Sequence, residues 1–352
     1  MRRAPAIALA LLALAARPAA ATPGTVVATG VPLPTNVAFD PRGGMWITSG
    51  TTVESLPTDG VWYVAGPGAP AVQVVRGLRA PLGLVWRRGA LYVASTVSFT
   101  TGRVTAYRGF DGRRFARSRV VVPYVPAGRF SPDSLARGPD GRMYLGVGSD
   151  RDHQRSGHGD SGTVVSFDPR LGGALRIEAR GLRDPYGVAF VPGTRTLLVT
   201  DDGRDDLGRL RAPEELNVVP DVGGPAPDFG FPDCWGQGGA SCAGMTSALV
   251  RFPAHASTAG LAVARHWPGA PGPVAFVAEN GSSRQDLGVG DDVRRIDLRR
   301  TPAGRWVAVK RGRLTGFAHR DPLGAAIGPD GGLYVTLLLS GQVVRLTTAE
   351  LG

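Results

Sequence analysis

Ser134-Leu135-Ala136-Arg137-Gly138-Pro139-Asp140-Gly141-Arg142-Met143-Tyr144-Leu145-Gly146 reads as two short apolar strands joined by a Pro-Asp-Gly turn. Glycine tolerates the positive φ of a tight hairpin, and Pro and Asp favour its earlier positions. The same unit recurs along the chain. Its copies open at Asn36, Gly83, Ser134, Gly187, Gly260 and Gly324, spaced by 47, 51, 53, 73 and 64 residues. The second strands follow at 45–48, 91–94, 143–146, 197–200, 275–278 and 333–336. A third strand is readable in most copies, at 60–64, 102–107, 162–167 and 341–346. A period of about fifty residues with several strands per unit is the signature of propeller blades. The six copies predict an all-β chain, a six-bladed β-propeller forming one domain over 22–352.

The 51 Gly and 29 Pro suit such a chain of short strands and turns. Ahead of it, Met1-Arg2-Arg3, an apolar run over 4–16 and Ala19-Ala20-Ala21 read as a secretory signal over 1–21. Arg17 and Pro18 break that run before it reaches membrane-spanning length, so no stable membrane insertion is expected. The mature protein is expected in the periplasm or medium. Loss of Arg2, Arg3 and Arg17 lowers the net charge from +11 to +8. Lys310 is the single lysine, and the arginines are scattered without a basic stripe, which argues against a nucleic-acid partner. Cys234 and Cys242 lie close together in an exported chain and read as a local disulfide. A metal pair would need further Cys or His ligands nearby.

The recognisable chemistry lies in 181–235. Arg183-Asp184-Pro185-Tyr186-Gly187 opens a strand. The acidic loop Asp201-Asp202-Gly203-Arg204-Asp205-Asp206 follows, then Glu214-Glu215-Leu216-Asn217, then Asp228-Phe229-Gly230-Phe231-Pro232. This order resembles the quinoprotein glucose/sorbosone dehydrogenase family, whose members carry Arg-Asn-Pro-x-Gly, Asp-Glu-Leu-Asn and Asn-Tyr-Gly-Trp-Pro. The resemblance implies a six-bladed propeller, pyrroloquinoline quinone (PQQ) and Ca²⁺ as cofactors, and an aldose or related alcohol or aldehyde as substrate. An external electron acceptor completes the implied reaction. It places Arg183 and Asp184 at the cofactor, since guanidinium forks match planar carboxylates. It places Ca²⁺ on the carbonyls of Gly203 and Arg204, with Asp202 beside them. Glu215 and Asn217 match the family residues, while Glu214 replaces an Asp. His255 and Asn280 are further pocket-lining candidates on the same face.

The departures from the pattern fall at catalytic positions. The family's general base, a His nine residues before the Pro of Pro-Asp-Gly, corresponds to Phe130, which cannot accept a proton. The carboxylate that orients it corresponds to Ser149, with Asp150 adjacent. Two arginines near the last repeat correspond to Asp321 and Leu323, with Arg320 close by. His153 and His158 lie nearby, and Gly159-Asp160-Ser161-Gly162 reads as a turn. No catalytic residue is assigned. Three functions stay open: a PQQ-dependent sugar dehydrogenase, an inactive propeller binding carbohydrate or protein, and a calcium-dependent lactonase-like hydrolase.

Overall fold

The computed structural model describes residues 23–51, 56–236, 242–281 and 287–351; the signal segment over 1–21 lies outside them. Within them the chain forms six four-stranded antiparallel sheets around a channel. Five are built in chain order, from β2 (Pro34–Phe39) through β21 (Trp306–Leu314). The sixth joins β22 (Pro322–Ile327), β23 (Leu333–Leu337) and β24 (Gln342–Leu346) to the amino-terminal β1 (Thr25–Ala28). Pairing of Thr25 with Arg345 and Val26 with Val344 therefore closes the ring with strands from both ends of the described chain. The hairpins lie where the repeat placed them, as in β10 (Pro132–Arg137) and β11 (Met143–Val147), where Leu135 faces Leu145. The fourth, outermost strands were missed. β9 (Phe115–Pro126) and β13 (Gly172–Ala179) are largely exposed and lie outside the hairpin unit that repeats.

Blades adhere through their apolar faces. Met143, Leu145, Val165 and Phe167 of the third blade pack with Tyr92, Ala94 and Val104 of the second. Toward the axis the spacing is tighter. A methyl group on Gly83 would stand 2.1 Å from the Asp133 carbonyl oxygen of the next inner strand. On Gly187, Gly260 and Gly324 it would stand 2.5, 2.4 and 2.5 Å from the oxygens of Ala259, Leu323 and Thr35. These four glycines open their repeats because adjacent inner strands leave no room for a side chain. At the two remaining copies a short polar side chain bonds across instead: Asn36 Nδ2 donates to Leu82 O (3.2 Å) and Ser134 Oγ (3.0 Å). The repeat's small opening residue is thus the mark of ring closure.

Cys234 and Cys242 form the expected disulfide. Among the described residues no helix is long and apolar enough to cross a membrane.

Gly260→Ala should destabilise the ring by about 1–3 kcal/mol, as overpacking against a backbone does. Denaturant unfolding should show a lower midpoint with an unchanged slope.

Candidate active site

The candidate residues gather at the end of the channel where the inner strands begin and the second strands finish. Tyr186 crosses that end from the fourth blade, its hydroxyl donating to Thr35 O of the first at 3.2 Å. Tyr186, Ala259 and Leu323, with Leu82 and Leu338, make an apolar collar there. Leu323 therefore spends its side chain on packing, at a position where the resemblance expects arginine. Beyond the collar the inner strands enclose a cavity of about 340 Å³.

Arg183 is 1% exposed and lies among carboxylates. A guanidinium has five N–H groups, and all five are engaged. Nε donates to Asp152 O (3.1 Å), and Nη1 to Gly203 O (2.6 Å) and Asp202 O (3.3 Å). Nη2 donates to Asp152 Oδ1 (2.7 Å) and Asp205 Oδ2 (2.9 Å). The Phe130 ring covers the group, its centroid 4.7 Å from the guanidinium carbon. Burial opposes the charge, but Asp202, Asp152 and Asp205 more than offset it and hold Arg183 protonated. Its backbone N–H is fixed separately on Asp201 Oδ1 (3.0 Å), which also takes the N–H of Asp184 (2.8 Å).

Asp184 stands beside Phe130. A methyl on Gly148 would lie 2.3 Å from Phe130 Cβ and 3.1 Å from Asp184 Oδ1. The partner of Asp184 is Asp133, which is 1% exposed and opens the inner strand of the third blade. Neither Asp184 Oδ1 nor Asp133 Oδ2 meets a donor, and the two carboxyl groups lie close enough to share a proton. Burial and the charge of Asp202 push Asp184 up to about 7, against the opposing pull of Arg183. Burial and the Asp184 charge raise Asp133 as well. Asp184 is the partly exposed member of the pair.

The other candidates have structural partners. His255, at φ 66°, holds Asp205 Oδ1 through Nδ1 (3.1 Å) and Gly208 O through Nε2 (2.8 Å), so it clamps the acidic loop. Arg204 turns to Asp206 and to Pro232 O (3.0 Å). Gly203 N–H donates to Glu214 Oε2 (2.6 Å), and burial with the nearby Asp202 charge raises the Glu214 carboxyl. Asn217 Nδ2 donates to Glu215 (3.2 Å). Asn280 donates its backbone N–H to Ser257 O (3.0 Å) and keeps a buried, unpartnered Oδ1. Ser149 is fully buried, and its N–H donates to Arg183 O (2.7 Å). His153 and His158 are both exposed, His153 near Asp152, and 159–162 form a turn. Sequence reasoning missed Asp133, Asp152 and Tyr186. Asp133 had a usable signal, a carboxylate three residues after Phe130 at the start of an inner strand.

No family model matches the chain. Solved structures share the fold across nearly all of it. One is the PQQ-bound form of aldose sugar dehydrogenase from Streptomyces coelicolor (19% identity, TM-score 0.68, 92% of this chain and 99% of that one). Another is the holo PQQ domain of pyranose dehydrogenase from Coprinopsis cinerea (16%, TM-score 0.71, 94% and 98%). At these identities the likeness is one of fold. A lactonase, drp35 of Staphylococcus haemolyticus, is 26% identical over 180 residues, 49% of this chain and 51% of its own. The chain spans about half the length of that curated relative.

The residues in place do not fit a quinone tricarboxylate at Arg183. Every Arg183 donor is taken, the nearby Arg129 faces Asp152 (3.4 Å), and Leu323 and Asp321 stand where the resemblance expects arginines. Calcium on the Gly203 and Arg204 carbonyls fares no better as the chain stands, because the Gly203 carbonyl already receives Arg183 (2.6 Å). Among the described residues no three His, Cys, Asp or Glu side chains converge as a metal site.

Proton linkage gives a test of the buried acids. Burial and the Asp292 charge push Glu279 up to about 8, although Arg294 pairs with both groups (2.8 and 3.1 Å). Folded Asp184 and Glu279 keep protons that the unfolded chain releases near pH 4. Stability should therefore fall as pH rises from about 4 to 8, by on the order of 1 kcal/mol per pH unit per group. Thermal unfolding at constant ionic strength should show this slope, and Asp184→Asn should flatten it below pH 7.

Proposed function

We propose that the protein is an exported enzyme of sugar chemistry that hydrolyses a lactone or related ester of a sugar acid, with Asp184 as the proton acceptor. The observation that carries this reading is the placement of Asp184. It adjoins Phe130, where the resemblance expects a base, and it is poised near neutrality beside a second carboxyl. A general base works best with a pKa near the operating pH. The acidic surroundings favour a neutral ring over an anionic ligand.

In this reading the Asp184 carboxylate takes a proton from water as the water oxygen attacks the ester carbonyl. The tetrahedral adduct then breaks its bond to the ring oxygen. Asp184 returns the proton to that oxygen, and a hydroxy acid leaves. Asp133, raised by burial and by the Asp184 charge, holds the proton that the close pair shares and leaves Asp184 as the carboxylate. The likeness to a lactonase supports the chemistry, and the sugar-dehydrogenase fold supports the ring-shaped substrate.

Quinone-linked oxidation of an aldose or sorbosone-type aldehyde, with PQQ and Ca²⁺, is the second reading. It is favoured by the fold shared over more than nine-tenths of the chain with PQQ-dependent sugar dehydrogenases. It requires Arg183 to leave Asp152 and Asp205.

Glucono-δ-lactone hydrolysis, followed by pH-stat above the spontaneous rate, separates the two. We expect turnover without quinone, reduced about 10²–10⁴-fold in Asp184→Asn, the usual loss for a general base. Undiminished hydrolysis in that variant, or turnover only as dye-coupled, quinone-dependent glucose oxidation, would overturn the proposal.

A further inference from the structure

Five oxygens converge on the Arg183 guanidinium. Three are the backbone carbonyls of Asp152, Asp202 and Gly203, and two are carboxylate oxygens of Asp152 and Asp205. They come from two loops on neighbouring blades, one after β11 and one after β15 (Leu197–Asp201). Hard oxygens of this kind, mixed carbonyl and carboxylate, are the donor set that a calcium ion takes.

We propose that Arg183 is the resident cation of this loop pair and takes over the Gly203 carbonyl, one of the two on which the resemblance places calcium, so that the protein holds the loops without metal. This occupancy rests on the same Arg183 geometry that speaks against a quinone, and it is independent of the Asp184 chemistry.

Three features make the cage independent of the arginine side chain. The Arg183 and Asp184 backbones are anchored on Asp201, so shortening the side chain does not release the strand that carries it. His255 holds the other oxygen of Asp205 and the carbonyl of Gly208, keeping Asp205 turned inward. Glu214 fixes the Gly203 peptide from the opposite side through its N–H. Removing the guanidinium therefore leaves carbonyls and carboxylates that still face one another, with Arg129 on the other oxygen of Asp152 (3.4 Å) as the nearest remaining guanidinium. Asp152 and Asp205 are partly exposed, so a cation from solvent can reach the vacated position. The same engagement consumes the donors that an anionic cofactor would need, so one side chain closes both the cation and the anion position.

The test uses the full mature protein, with calorimetric Ca²⁺ titration and thermal unfolding in EDTA or excess Ca²⁺. Wild type should bind no Ca²⁺ at this loop and unfold at the same temperature in both. Arg183→Met should unfold at a lower temperature in EDTA, recover stability with Ca²⁺, and bind one ion saturably. Adding Asp205→Asn to that variant should weaken the binding at least tenfold. Should Arg183→Met fail to fold in EDTA, Arg183→Gln, which keeps some hydrogen bonds, is the second variant, with the same expected gain of Ca²⁺ binding. A wild type that loses stability in EDTA and regains it with Ca²⁺ would overturn the proposal. So would folded Arg183→Met and Arg183→Gln that bind no Ca²⁺.

Discussion

The chemistry of this propeller hinges on one buried guanidinium held by its own chain. Arg183 joins the loop after β11 to the loop after β15 and neutralises part of a dense acidic cluster. Arg183 is buried while Asp152 and Asp205 are partly exposed, so solvent screens these pairs in part. The arrangement also decides what the channel mouth can bind. A guanidinium with a spare donor attracts a carboxylate ligand. Here Asp152 and Asp205 occupy that role, and the carbonyls of Asp202 and Gly203 complete the set.

Ring geometry sets the frame in which this happens. Six inner strands meet so closely that four of the six repeat openings are glycine and the other two are Asn36 and Ser134. That constraint was legible in the sequence, because a small residue before each inner strand recurs with the hairpin turn. Blade number and hairpins followed from it. The outer strands did not, since half-exposed strands such as β9 lie beyond the repeated hairpin.

The site was legible in part. Ordered motifs drew attention to Arg183, Asp184 and the acidic loop, and the structure brings these together. Their partners were not visible. Asp152 reaches Arg183 from the third blade, 31 positions away, and Tyr186 reaches Thr35 across the channel from 151 positions away. Such contacts are made by closing the ring, and no local pattern encodes them. A motif arginine can face a cofactor or be consumed by neighbouring carboxylates, and only its three-dimensional surroundings distinguish the two. The replacement of Asn by Asp at 184 takes on meaning in the same way, through Asp133 beside it.

The central claim is that Arg183 is closed to an anionic cofactor. Its most direct test is a titration of the metal-stripped mature protein with PQQ, with and without Ca²⁺, followed by quinone absorbance. The account predicts no saturable binding under either condition. Calcium-dependent, stoichiometric binding that disappears in Arg183→Met would contradict it and return the protein to quinone-linked oxidation.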